Sequence, residues 1–83
     1  MSTIFIVGSS SGIGKATAKL FAEKGWTVIA TMRSPEKETE LISYENVFIY
    51  PLDVTKPEVI ESTVSEVLEK YDVDVLFNNA GYG

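Results

Sequence analysis

Four short runs rich in β-branched and aromatic residues, separated by longer segments of helical period, constrain this chain more than any other feature. Thr3-Ile-Phe-Ile-Val7 has the pattern of a buried strand and stops at Gly8. From Gly12 to Lys24 the apolar residues Ile13, Ala16, Leu20 and Phe21 recur at helical spacing, and Gly25 sits where a helix commonly ends in the left-handed conformation. Thr27 to Thr31 reads as a second strand. Ser34-Pro35-Glu36 reads as N-cap, first helical residue and favourable acid, which predicts a second helix to about Ser43. Val47 to Tyr50 is a third strand, closed by Pro51. Thr55 and Glu58 have capping-box spacing and open a third helix, with Ile60, Val64, Val67, Leu68 and Tyr71 along one face. Val73 to Phe77 is the fourth strand, and residues 78–83 have loop chemistry.

This β-α-β-α-β-α-β order implies a parallel sheet, because each crossover helix returns the chain in the same direction. Right-handed crossovers in the strand order 3-2-1-4 put the first two helices on one face and the third on the other. The reversal between strands 1 and 4 opens a crevice at their carboxyl ends, where ligands bind in such sheets. The Gly8–Gly14 and Asn78–Gly81 loops should flank that crevice. The expected architecture is therefore a Rossmann-type α/β portion, and 83 residues make one unit of it, 1–83, with a thin core.

Composition removes several alternatives. The chain is 45% hydrophobic, which is too apolar for a disordered segment. It has no cysteine, which excludes disulfide scaffolds and Cys-ligated metal sites, and no histidine, which excludes Ser-His-Asp and Cys-His catalysis within it. Seven basic against 12 acidic side chains give a net charge of −5, the wrong sign for a nucleic-acid surface. Apolar runs such as Ile4–Val7 are far short of the roughly twenty residues of a membrane span. A protein of the cytoplasm, with no nucleic-acid or membrane partner and no metal, is the expectation.

Gly8-Ser-Ser-Ser-Gly12-Ile-Gly14 leaves a strand and enters a helix, the setting in which a glycine loop cradles a dinucleotide. Gly8 allows the tight turn, Gly12 lets the backbone approach a phosphate, and Gly14 lets the helix pack on the strand. Free N–H groups and the positive end of the helix dipole then favour a pyrophosphate, and Ser10 and Ser11 add hydroxyl donors. A nucleoside-triphosphate loop would need Gly at Ser9 and Ser or Thr at Ala16. Gly8-Ser-Ser10-Ser-Gly12 also has the spacing of a nucleophile elbow, but that chemistry needs a histidine. Dinucleotide binding survives, with Gly8, Ser10, Ser11, Gly12, Ile13 and Gly14 as its candidate contacts.

Taken together, Gly8–Gly14 after strand 1, Asp53-Val54 after strand 3 and Asn78-Asn79-Ala80-Gly81 after strand 4 resemble the motifs of the short-chain dehydrogenase/reductase family. They come in family order and spacing across the whole chain. The resemblance implies that Asp53 and Val54 meet the adenine, that Asn79, Ala80 and Gly81 line the cofactor's ribose and phosphate, and that Asn78 braces the sheet. At the end of strand 2, where an NAD site carries an acid for the ribose 2′-hydroxyl, this chain has Thr31, Met32 and Arg33. A guanidinium there can pair with a 2′-phosphate, as in the NADP(H)-preferring members, so NADP(H) is the expected cofactor and NAD(H) the alternative. Ser11 stands where such members often carry Arg or Lys.

Family chemistry is hydride transfer between nicotinamide and a carbonyl or alcohol substrate, with a serine and a Tyr-x-x-x-Lys pair. Tyr44, Tyr50 and Tyr71 are followed at the fourth position by Phe48, Val54 and Val75, and Tyr82 has only Gly83 after it. The resemblance thus implies the N-terminal cofactor-binding part of an oxidoreductase, inactive by itself. The alternative is a dinucleotide-binding or assembly module without catalysis. The outer edge of strand 4 lacks a neighbour, so self-association into a homo-oligomer is expected.

Overall fold

The computed structural model describes residues 2–9, 12–53 and 55–79. Strand β1 (Thr3–Val7) leads into helix α1 (Gly12–Glu23), and β2 (Thr27–Met32) into two single turns of 3-10 helix, Pro35–Lys37 and Leu41–Ser43. Strand β3 (Val47–Pro51), helix α2 (Pro57–Lys70) and β4 (Val75–Asn78) complete the order. The four strands form one parallel sheet in the order β3-β2-β1-β4, as expected. In register, Val7 lies beside Thr31 on one side and Asn78 on the other.

Alternation along the strands divides the core in two. Ile4, Ile6, Val28, Ala30, Met32 and Val47 point to the α1 side, where they meet Ala18, Ala22 and Leu41. Phe5 and Ile29 point to the other side and meet Val67 of α2. Burying each of these larger side chains stabilises the fold by about 1.5–3 kcal/mol. Thr63 fastens α2 to the sheet, its hydroxyl donating to the Pro51 carbonyl over 2.8 Å. No helix among the described residues is long and apolar enough to cross a membrane.

Helix α1 ends as its sequence predicts. Gly25 has φ +86°, the Trp26 amide reaches back to the Phe21 carbonyl and the Gly25 amide to that of Ala22. The rings of Phe21 and Trp26 close the motif edge to face, 4.8 Å between centroids. Its buried face differs from the expected stripe: Gly14, Ala18 and Ala22 turn inward, while Ile13 is 67% and Leu20 51% exposed and Ala16 is exposed. Small residues there let the helix lie close to the strands. On α2, Val67 is buried as expected, but Leu68 faces out.

Two helix starts differ from the reading of the sequence. Ser34 makes no capping bond, and the expected helix to Ser43 is replaced by the two 3-10 turns. Glu38 explains the break: its carboxylate accepts the amides of Glu40 and Leu41, each at 2.8 Å, so they no longer serve a continuous helical ladder. Helix α2 begins at Pro57, with Lys56 extended at the N-cap, so Thr55 and Glu58 form no capping box. A proline at the first helical position needs no N–H partner and holds its predecessor extended. Thr55 instead turns back to Asp53. Strand β4 also starts two residues later than expected, because Asp74 is occupied accepting the Thr3 amide at 2.8 Å.

Candidate functional site at the carboxyl ends of the strands

The site is built outward from the end of β1. Gly8 has φ +83°, a conformation glycine adopts without strain, and turns the chain away at the carboxyl end of the sheet. The turn is held by β2. The Thr31 carbonyl accepts the Gly8 amide at 3.1 Å, the Ser9 amide at 2.9 Å and the Ser9 hydroxyl at 2.9 Å. The Thr31 hydroxyl in turn donates to the Ile6 carbonyl at 2.7 Å. Ser9 and Thr31 are fully buried, so these bonds are shielded from competing water.

From the other side β4 closes on the same turn. The Asn79 amide donates to the Val7 carbonyl at 2.8 Å, and its side-chain nitrogen to the Gly8 carbonyl at 3.2 Å. The Asn79 side chain thus braces the turn, and Asn78 ends β4 in register with Val7. Gly14 fits against this cluster so tightly that a Cβ on it would run into the Gly8 carbonyl oxygen and lie 3.0 Å from the Asn79 side-chain nitrogen. The absence of a side chain at Gly14 is what lets α1 start against the turn. Gly12, at the first residue of α1, has φ +63° and nothing within 4 Å of where a Cβ would stand. The first turn of α1 contains no acidic residue, so no carboxylate of its own competes for the positive end of the helix.

A second cluster lies beyond β2 and β3. Arg33 follows β2 and is exposed, and Asp53 follows β3 and is half-buried. The Leu52 amide donates to the Met32 carbonyl at 2.8 Å and holds these two strand ends together. The Thr55 hydroxyl at 2.6 Å and its amide at 3.0 Å both donate to Asp53 Oδ1. Those bonds, with the Arg33 charge as a smaller contribution, keep the Asp53 carboxyl below the usual carboxylate range. Asp53 is therefore an ionised acceptor beside an exposed guanidinium at neutral pH.

The structure thus brings Gly8, Gly14 and Asn79 together and sets Arg33 near Asp53; Gly12 opens α1 with free space around it, and Ile13 is exposed beside it. Ser10, Ser11, Val54, Ala80 and Gly81 lie outside the described residues. The spacing of the glycines gave no sign of the anchors Ser9 and Thr31. It also missed Lys15, whose ammonium meets Glu40 Oε2 at 2.8 Å and Glu38 Oε1 at 3.3 Å. Among the described residues no group of three or more acidic side chains is arranged to hold a metal ion.

The chain is similar to known proteins in sequence and in fold. The short-chain dehydrogenase family profile matches residues 2–83. The oxidoreductase BOA17 of Botryotinia fuckeliana is 44% identical over 82 residues, taking in 94% of this chain and 30% of the relative. The 3-oxoacyl acyl-carrier-protein reductase FabG of Thermotoga maritima is 45% identical over 82 residues, 92% of this chain and 33% of its own. Among solved structures, ElxO with NADP bound superimposes with a TM-score of 0.85 at 38% identity, covering 99% of this chain and 36% of that one. A carbonyl reductase of Pseudomonas aeruginosa in complex with NADP gives 0.85 at 30% identity, covering 98% and 39%. This chain spans about a third of the length of these relatives. By the profile match over nearly its whole length, the chain belongs to the short-chain dehydrogenase family.

Proposed function

We propose that residues 1–83 are the N-terminal, adenosine-binding portion of an oxidoreductase that uses NADP(H) in preference to NAD(H) on a carbonyl or alcohol substrate. The observation that carries this reading is the Gly8–Gly14 turn, anchored from both neighbouring strands and opening onto a helix start without an acid. NADP-bound ElxO and carbonyl reductase, with the same fold, support it.

The residues fit the group in three respects. Space around the Gly12 α-carbon leaves room for a phosphate to approach the backbone, and the N–H groups of the first turn of α1 would donate to it. With Gly8, Ser10, Ser11, Ile13 and Gly14 they form the proposed pyrophosphate contact. Asp53, ionised and fixed at one oxygen by Thr55, suits the amino group of an adenine, with Val54 beside it. Arg33 is exposed and offers a planar fork to a 2′-phosphate. Asn79, Ala80 and Gly81 would line the ribose.

When bound, NADPH would donate a hydride to a carbonyl or NADP+ would accept one from an alcohol; these residues would bind and orient the cofactor's adenosine end. The acid–base tyrosine and lysine of the reaction belong, in this reading, outside residues 1–83, since no Tyr-x-x-x-Lys occurs among them. Fluorescence titration of the full-length protein with NADPH and NADH tests the assignment. NADPH should bind more tightly, and Arg33→Ala should weaken it by about tenfold, the loss of a charge-assisted pair of roughly 1.5 kcal/mol. NADH binding should change by less than about twofold. Equal affinities for the two cofactors, or an unchanged NADPH affinity in Arg33→Ala, would refute the role of Arg33.

A further inference from the structure

The acidic segment behind Arg33 contains one residue that does not behave like its neighbours. Glu36, Glu40 and Glu45 are exposed, whereas the Glu38 side chain is only 2% exposed. Its Oε2 accepts the Glu40 and Leu41 amides, and its Oε1 faces the Lys15 ammonium at 3.3 Å. Burial pushes this carboxyl up, but those amides and Lys15 outweigh it and hold it below the usual range, so it is an anion at neutral pH. Lys15 also meets Glu40, which Lys19 grips at 2.7 Å. With two carboxylates on it, the Lys15 ammonium is engaged away from the phosphate end of α1.

The position of this pair gives it consequence. Lys15 directly follows Gly14, which abuts the Gly8 carbonyl. Glu38 follows Arg33 by a single stiff turn: Pro35 fixes its start, the Lys37 amide bonds Ser34 and the Glu38 amide bonds Pro35. Past it, Leu41 is sunk in the core. The stretch between Arg33 and Leu41 is therefore pinned to α1 at Lys15, one residue from the glycine turn. Glu40 and Lys19 are partly exposed and screened by salt, so the anchor is the buried Glu38.

We propose that Glu38 and Lys15 are positioning residues for cofactor selection: their ion pair fixes the distance between Arg33 and the glycine turn, and thereby the preference for a 2′-phosphorylated dinucleotide. This rests on the assignment of Arg33 to the 2′-phosphate. Neither residue touches the cofactor.

Titration of the full-length protein with NADPH and NADH, for Glu38→Gln, Lys15→Met, Lys15→Arg, Arg33→Ala and the double variant Glu38→Gln/Arg33→Ala, tests it. Glu38→Gln and Lys15→Met should each weaken NADPH by about threefold to tenfold and leave NADH within about twofold. Lys15→Arg should retain the wild-type preference. Glu38→Gln should weaken NADPH no further once Arg33 is alanine, because it acts through that residue. Lys15→Met preserves the bonds from Glu38 to the backbone, so the measurement stands even if Glu38→Gln does not fold. Equal losses for both cofactors, or an unchanged ratio in both single variants while Arg33→Ala abolishes the preference, would overturn the positioning role alone. An unchanged ratio in Arg33→Ala would overturn the Arg33 assignment and this inference with it.

Discussion

Replacing Gly14 with alanine sets two effects of opposite sign against each other. Alanine is the better helix former by about 1 kcal/mol in a helix interior, and less in a first turn, so propensity alone predicts a modest gain. The new methyl, however, would run into the Gly8 carbonyl oxygen and come to 3.0 Å from the Asn79 side-chain nitrogen. The first of these is backbone, held by the Gly8 and Ser9 bonds to Thr31, and cannot swing aside as a flexible side chain could. Overpacking of this kind costs about 1–3 kcal/mol. Displacing Asn79 also loses its bond to Gly8, about 1 kcal/mol more. The clash wins, and a net loss of about 1–3 kcal/mol is expected by urea unfolding. Gly25→Ala is the control: at φ +86° with nothing within 4 Å it should lose stability only through the left-handed strain that alanine takes on, about 1–2 kcal/mol, and leave cofactor binding unchanged. In Gly14→Ala, dinucleotide affinity should fall with stability, because α1 is pushed off the turn. A variant as stable as the wild type, or more so, would refute the tight contact.

Other expectations are open to measurement. Val67→Ala removes the buried centre of the α2 face and should cost about 2 kcal/mol in the same assay. Ser9→Ala should cost only about 0.5–1 kcal/mol, since the Thr31 carbonyl keeps the two amides. Glu40 is held down to about 2 by Lys15 and then Lys19, from an ordinary 4.5. A depressed carboxylate contributes above its unfolded value, so that contribution should vanish as pH falls from about 4.5 to 2, and Glu40→Gln should flatten this limb of the stability profile. The 83-residue chain by itself should associate through β4, the last strand of the sheet among the described residues, where Leu76 is 66% exposed. A stable monomer with cooperative unfolding on size exclusion and urea titration would contradict that.

Strand order was legible because each strand is a β-branched run bounded by turn residues, and parallel crossovers leave few ways to lay such runs side by side. The glycine turn was legible because three glycines between a strand and a helix have few other uses. The face of α1 was misread for a physical reason. Hydropathy rewards Ile13 and Leu20, yet a helix pressed onto a sheet beside a turn needs the small Gly14, Ala18 and Ala22 at the contact. The segment after β2 was misread because Ser-Pro-Glu announces a helix locally, while the Glu38 carboxylate takes the Glu40 and Leu41 amides and is buried where Lys15, far off in sequence, meets it. Glu38 looks like any solvated acid until the fold buries it. Ser9 and Thr31 bond through their hydroxyls to main-chain carbonyls, which every residue has, so the sequence names the donors without naming their partners.

The Thr31 carbonyl, which gathers the Gly8 and Ser9 donors, stands two positions before Arg33 on one strand end. That strand end works as a ruler. Its buried mark sets where the glycine turn begins, and its exposed mark, in the proposed assignment, sets where a 2′-substituent would be met. The buried mark uses main chain and a hydroxyl that faces β1, so it is indifferent to the side chain carried after Met32. If Arg33 meets the 2′-phosphate as proposed, changes at residue 33 should retune which cofactor is taken without loosening the turn, separating selectivity from foldability within three consecutive residues.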